Sequence, residues 1–379
     1  MDNTINKGKK MKIKVLNVLT TNLCLDGISN SAMNYYRHIN RDTIQIDFVC
    51  QNVIDSIKTE IESNGDKVYV IDRRKKKPVQ YSKKLSKLIK DNQYDIVHVH
   101  GSSSILCIEM VIAKKAGCKV RIAHSHNTKS NYMIIDRLLR PIFYSTYTHG
   151  FACGGEAGKW LFGKRPFEII NNGKNIEEFE YNESAREKIR KDCKLEDCTV
   201  IGHIGSFNSQ KNHKYLIDIF YELLKENDKK YKLLLIGGGK LEQTIKEQVE
   251  ELGIDKDVIF VGETTEVNKW LQAMDIMVFP SKFEGFPIVL VESQIAGLPC
   301  VVSDKITKEV ELTGLIQFQS IEDKPEVWAN TIRNVKIEDR EKNKEKIIQE
   351  IRDKGFDIKE NAKKLEDIYI RLYKETYGK

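Results

Sequence analysis

The sequence predicts two α/β domains in tandem, each a parallel sheet covered by helices on both faces. Three observations predict this. At 379 residues the chain exceeds what one ordinary hydrophobic core holds. From Lys12 to about Gly173, short β-branched runs alternate with helix-length segments, and the rhythm restarts after a polar stretch from Asn175 to Asp197. The runs are continuously apolar rather than alternating, as strands buried on both faces require.

In the first half "KIKVLNVLT", "IQIDFVC", "KVYVID", "DIVHVHG", "VRIAHSH", "HGFACG" and "FEIINNG" read as strands; in the second, "TVIGHIGS", "YKLLLIGGG", "VIFVGE", "IMVFPS", "CVVSD" and "LIQFQ" do. Apolar residues recur at helical spacing from about Ile358 to Tyr377, which predicts a closing helix. The organisation expected is a polar tail over 1–10, a first domain over 11–180, a second over 181–357 and the closing helix over 358–379. Ligands of open α/β sheets lie beyond the carboxyl ends of the strands, so two such domains facing one another make a cleft with a binding edge on each side.

Composition narrows the function. With 40% apolar residues and a net charge of +7 the chain is not disordered. The first ten residues are polar and no apolar signal core follows them, so a cytoplasmic protein is expected. No run of about eighteen apolar residues occurs, so any membrane contact is expected to be peripheral. The eight cysteines include no C-x-x-C pair and read as reduced thiols; Cys193 and Cys198 lack zinc-ligand spacing. Residues 1–190 hold 32 Lys and Arg against 20 Asp and Glu (+12), and 191–379 hold 30 against 35 (−5). The basic excess concentrates in Arg73 to Lys77, in Lys83, Lys84, Lys87 and Lys90, and around Lys114, Lys115, Lys119 and Arg121. Two readings stand side by side: a face that draws an anionic membrane or a phosphate-bearing acceptor, or the solvated side of amphipathic helices. No nucleic-acid partner is expected.

The segment "FPSKFEGFPIVLVESQIAGLPCVVSD", Phe279 to Asp304, carries the most chemistry. A strand ends at Phe279, Glu284 and Gly285 stand in a loop, Pro287 suits a first helical turn, and Gly297 with Pro299 closes the helix. Gly285 lets backbone approach a ligand, and the N–H groups of Phe286, Ile288 and Val289 face an anion such as a pyrophosphate, Pro287 having none to offer. Glu284 lies within reach of a reacting group, and Glu292 is placed to accept two hydrogen bonds from a vicinal diol such as a ribose.

Glu284-(x7)-Glu292 within "FEGFPIVLVESQIAGLP" resembles the signature of glycosyltransferase family 4, the retaining family of GT-B fold, and particularly its bacterial capsule and exopolysaccharide enzymes. "LDGISNSAMNYYRHINRDTIQIDFV", "HVHGSSS", "RIAHSHNT", "HIGSFNSQKNH" and "AMDIMVFPSKFEGFP" resemble segments of those enzymes in the same order, across nearly the whole chain. The resemblance implies a nucleotide-sugar donor, commonly a UDP-sugar, a saccharide or lipid-linked acceptor at the inner membrane face, and no cofactor or metal. It implies that Glu284 lies near the donor sugar and leaving phosphate, that Glu292 binds the ribose, and that Lys211, flanked by Gln210 in "QKN", neutralises the donor phosphates. A fixed ammonium there stabilises charge that builds as the nucleoside diphosphate departs. It also implies a donor-side histidine, His126 or its same-face neighbour His124, and a loop at Gly27 beside the phosphates.

Two departures stand out. Where the family has arginine in "GRF", this chain has Ser206, which donates one hydrogen bond but no charge; and the family's double glycine is Asp26-Gly27. Gly237 to Gly239 match a loop near the nucleotide and equally match ordinary strand-to-helix punctuation. His98, His100 and Gly101 form a further strand end without an assigned role. Same-face attack with the leaving phosphate assisting deprotonation is the mechanism expected, with double displacement through Glu284 as the second route. An epimerase or phosphorylase on the same fold, or a silent donor-binding partner subunit, are the alternative functions.

Overall fold

The computed structural model describes residues 12–24, 27–128, 132–226 and 230–378. The tail over 1–10 and Asp26 lie outside the described residues. The chain divides into two compact units, one running to Gly173 and resuming at Ile358, the other spanning Lys174–Asp357.

The first unit runs β1 (Ile13–Leu19), α1 (Gly27–His38), β2 (Ile44–Cys50), α2 (Asp55–Ser63), β3 (Val68–Val70), α3 (Pro78–Asn92), β4 (Ile96–Gly101) and α4 (Cys107–Lys115). It continues with β5 (Val120–Ser125), α5 (Met133–Tyr144), β6 (His149–Ala152), α6 (Gly155–Phe162) and β7 (Glu168–Ile169). These strands form one sheet in the order β3-β2-β1-β4-β5-β6-β7, every pair parallel. The strands are apolar on both faces because both are covered. Val15, Ile46, Ile96 and Ile122 pack on one side, while Leu16, Val97, Val99 and Ala123 pack on the other.

The second unit holds α7 (Ile176–Phe179), α8 (Glu183–Asp192), β8 (Thr199–Ile204), α9 (His213–Leu224), β9 (Tyr231–Ile236), α10 (Glu242–Glu251), β10 (Val258–Gly262) and α11 (Val267–Ala273). Then follow β11 (Ile276–Phe279), α12 (Ile288–Ile295), β12 (Cys300–Ser303), β13 (Ile316–Gln319), α13 (Pro325–Arg333) and α14 (Arg340–Asp353). Its sheet has the order β10-β9-β8-β11-β12-β13, again all parallel. Strand order reverses between β1 and β4 in one sheet and between β8 and β11 in the other, and a crevice for ligands opens at such a switch point.

The boundary expected at 180 falls instead at Gly173, and the last helix, α15 (Ile358–Tyr377), is an integral layer of the first unit. Ile358, Ala362, Leu365, Ile368, Tyr369 and Leu372 are buried in the same core as Val15 and Ile122, which leaves the helix no independent existence.

The basic face is thinner than its lysine and arginine count. Arg74 donates to both carboxylate oxygens of the fully buried Glu109 (2.7 and 2.6 Å), which also accepts from Tyr81 Oη (2.9 Å). The guanidinium of Arg121 donates to the carbonyls of Thr146, Cys118 and Lys119. Arg74 and Arg121 are structural, and Arg73 with the lysines carries the exposed charge.

Candidate donor site in the second unit

Two βα loops flank the β8/β11 switch point, and each supplies one partner of an ion pair. Lys211, between β8 and α9, places Nζ 2.8 Å from Glu284 Oε1, between β11 and α12. The contact is coulombic rather than an aligned hydrogen bond, since Oε1 finds no donor in bonding geometry. Only 16% of the Lys211 side chain and 10% of the Glu284 side chain are exposed, so this lysine is not a solvated surface cation. Its ammonium lies 4.5 Å from the centre of the Phe279 ring. Its stem runs against Gly205, where a Cβ would come 2.9 Å from Lys211 Cε, so glycine is what lets the lysine lie down.

The loops are tied together by backbone. Lys282 N–H donates to the Gln210 carbonyl (2.8 Å), and Asn212 Nδ2 to that of Pro280 (3.2 Å). Asn208 Oδ1 accepts from the N–H groups of Gln210 (3.0 Å) and Lys211 (3.1 Å), closing a tight turn that fixes the lysine. Gly237 and Gly239, both at positive φ, bring a third loop in close: a Cβ at Gly237 would meet the Gly205 carbonyl at 2.3 Å. Phe207 N–H then donates to the Gly238 carbonyl (3.0 Å). These glycines are demanded by loop-on-loop packing, whatever ligand they adjoin.

A second shielded pair involves α12 itself. Glu292, in the second turn of α12, is bonded to Lys174 Nζ, and the two side chains are 12% and 10% exposed. Lys174 is held by its own N–H, which donates to the Phe356 carbonyl (2.8 Å), and its ammonium stands 5.5 Å from the Phe179 ring centre. Pro287 caps α12 in an extended conformation rather than entering its first turn. Leu290 N–H already donates to the Pro287 carbonyl (3.0 Å), so the ladder leaves the N–H groups of Ile288 and Val289 at the helix start. Phe286 stacks on Phe356 with ring centres 5.5 Å apart, pinning the loop.

In the first unit, strand pairing sets His100 opposite His124, and His98 and His126 lie on the same sheet face. His126, just past β5, is half-buried, with Nε2 2.9 Å from His100 Nδ1. His124 is buried, its ring stacked 4.1 Å from that of His126.

With the geometry in view, the relatives decide the family. A profile described as "Glycosyl transferases group 1" matches residues 185–354, and one described as "Glycosyltransferase Family 4" matches 25–175. The glycosyltransferase-type protein EpsF of Bacillus subtilis is 32% identical over 96% of this chain and 97% of its own. The chain belongs to glycosyltransferase family 4. The UDP-Gal:alpha-D-GlcNAc-diphosphoundecaprenol alpha-1,3-galactosyltransferase of Escherichia coli is 23% identical over 97% of this chain and 99% of its own. Among solved structures, Anabaena HepE in complex with UDP and glucose superposes with a TM-score of 0.75 at 18% identity, over 94% of this chain and 99% of that one. The fold of this family 4 glycosyltransferase is accordingly GT-B.

In the glycosyltransferase the second unit pairs Glu284 with Lys211; Gln210 precedes the lysine, Gly285, Phe286 and Pro287 lead from Glu284 to the α12 start at Ile288, and Glu292 pairs with Lys174. Ser206 is exposed one residue past Gly205, on the same turn. Gly27 is the first residue of α1, and a Cβ there would meet nothing within 4 Å, so its glycine is not required by packing inside the chain. Sequence reasoning missed Lys174. It lies between "FEIINNG", read as a strand, and the polar stretch from Asn175, inside the span given to the first domain, and only the shift of the boundary to Gly173 reveals it as a buried residue of the second unit.

Proposed function

We propose that this enzyme transfers a sugar with retention of configuration from a UDP-sugar to a lipid-linked saccharide in bacterial surface polysaccharide synthesis. The observation that carries the reading is the pair of shielded lysine–glutamate contacts at α12: Lys211–Glu284, which joins the two loops flanking the β8/β11 switch point, and Lys174–Glu292, whose glutamate lies inside the helix. The diphosphate lies at the N–H groups of Ile288 and Val289, with Lys211 supplying the charge that a divalent cation supplies elsewhere. Donor binding inserts phosphate beside Lys211, and the ammonium then shares its charge between phosphate and Glu284. Because Glu284 is already paired with a cation, it serves better as an electrostatic guide than as a nucleophile, which favours same-face attack over double displacement. Glu292 accepts the ribose hydroxyls, and His126 is the residue of the first unit assigned to the donor sugar. Lys282, exposed on the loop bonded to Gln210, supplies the cation lost with Ser206.

The acceptor class rests on the relatives' chemistry and on a surface of the first unit. A groove of about 740 Å³ between α3, α4 and α5 has Ile108, Val111, Ile112 and Leu139 in its floor and Lys83, Lys87, Lys90 and Lys115 along its rim. Beside it α5 exposes Met133, Ile134, Ile135 and Leu138. Apolar side chains ringed by lysines suit the headgroup boundary of an anionic bilayer, where a lipid-linked acceptor resides. Among the described residues no helix is long and apolar enough to cross a membrane.

A panel of nucleotide-sugars tests the reading through thermal stabilisation. A true donor at 100 times its dissociation constant adds about 2.7 kcal/mol to the unit that binds it. Lys211→Ala is expected to lower kcat by about 10²-fold to 10³-fold with a smaller change in KM. Absence of a shift with every nucleotide would overturn the proposal.

A further inference from the structure

On the inner face of the first sheet, three adjacent strands set polar side chains into an otherwise apolar core. Asn17 of β1 stands opposite His98 of β4, and His100 of β4 opposite His124 of β5. All four residues are at most 5% exposed. Tyr369 of α15 covers them, its hydroxyl 2.6 Å from His98 Nδ1, while His98 Nε2 lies 3.1 Å from His124 Nδ1. His100 Nδ1 is engaged with His126 Nε2 at 2.9 Å.

Hydrogen-bond accounting does not close. A neutral imidazole has one donor and one acceptor nitrogen, so the Tyr369–His98–His124 chain consumes both nitrogens of His98 and one of His124, in either proton order. Three buried atoms are left without partners: His124 Nε2, His100 Nε2 and Asn17 Oδ1. Buried polar atoms are ordinarily paired, so three orphans on one face of a core call for a further partner.

We propose that His98, His100 and His124 form a buried site for one first-row transition-metal ion of the zinc, nickel or copper type. One ligating nitrogen from each ring lies within 4.8 Å of the others. A tetrahedral ion with metal–nitrogen bonds of about 2.0–2.1 Å spaces its donors roughly 3.4 Å apart, and the facing nitrogens of His98 and His124 are 3.1 Å apart. Binding replaces the His98–His124 hydrogen bond by metal–nitrogen bonds to both facing nitrogens, each ring keeping its proton on the other nitrogen, and takes up the unpartnered nitrogen of His100; Asn17 Oδ1 is an oxygen available on the same face. An imidazole donor set without a carboxylate selects against magnesium and calcium. Tyr369 is the outer partner that fixes the His98 ring. The same ion would fix His100, whose other nitrogen holds His126. The site adjoins His126 and shares no residue with the Lys211, Glu284 and Glu292 cluster of the second unit, and its readout is metal content.

The test uses the full chain without an affinity tag, dialysed against a chelator and titrated with Co²⁺. One ion per chain is expected, with visible d–d absorption that Zn²⁺ abolishes by displacement. The double variant His100→Gln/His124→Gln should lose binding while His38→Gln keeps it. Tyr369→Phe, which should leave the fold intact, is expected to weaken affinity about 10-fold to 100-fold. Failure of the chelated protein to take up Co²⁺, or full affinity in either the folded double variant or Tyr369→Phe, would overturn the proposal. UDP binding by the same preparations reports independently on the donor site.

Discussion

Lys174 shows how one residue ties stability to the site. Its ammonium and the Glu292 carboxylate shield each other from water, and removing one partner leaves the other charge buried. Lys174→Met is expected to destabilise the second unit by about 3 kcal/mol and to weaken UDP binding about tenfold, because Glu292 then loses its fixed orientation. Urea unfolding and nucleotide titration of one preparation check both. His213 makes a contrasting case. Its ring stacks on Phe207 at 4.2 Å, both its nitrogens lack partners, and burial holds its pKa down at about 4. The folded pKa is below the unfolded value of about 6.5, so the unfolded chain binds the extra proton between the two. Stability is therefore level above pH 6.5 and falls as pH drops towards 4, by up to about 3 kcal/mol. His213→Phe should abolish that contribution and raise stability at neutral pH, as read from melting curves between pH 4 and 8; an unchanged acid limb would contradict the account. Glu284, Lys211 and Glu292 were legible from the sequence because a motif carries them. Lys174 was not, since nothing in a polar stretch signals which lysine will be shut away from solvent.

Elements are held by a few buried charges as well as by apolar faces. Asp275, at the start of β11, accepts from Arg186 Nη2 (2.5 Å) and Arg190 Nη1 (3.0 Å) of α8 and from Val200 N–H (2.8 Å) of β8. The same guanidinium groups donate to the carbonyls at the end of α11, so one carboxylate locks two helices to the sheet. Asp275→Ala should cost about 3–5 kcal/mol, measured by denaturant unfolding, with no change in the thermal transition of the first unit. Helix α5 is the opposite kind of element, its outward face apolar and unsatisfied. Ile134→Glu/Leu138→Glu is expected to leave stability within about 0.5 kcal/mol and to abolish sedimentation with phosphatidylglycerol vesicles; wild-type pelleting by the variant would rule this face out. The strands were readable from their unbroken apolar runs. The α5 surface was not, because Met133 to Ile142 looks in sequence like any core-facing helix until the structure shows which side is uncovered.

At the scale of the molecule, both parallel sheets followed from the sequence rhythm, whereas the ownership of α15 did not: helical periodicity says that a face will be buried and is silent about where. The four buried Ile and Leu side chains of α15 alone, at about 1.5–3 kcal/mol each, amount to as much as a typical domain's margin of about 5–15 kcal/mol. A chain ending at residue 357 should therefore lose the melting transition of the first unit and retain that of the second, in a calorimetric scan that resolves both.

The return of the chain at Ile358 also orders events during synthesis. β1 to β7 leave the ribosome first yet lack the layer that covers Asn17 and His98, while the second unit, a single continuous stretch, is complete as soon as α14 emerges. The portion made earliest thus waits with an open flank until translation reaches α15, and that interval is when a chaperone would find it.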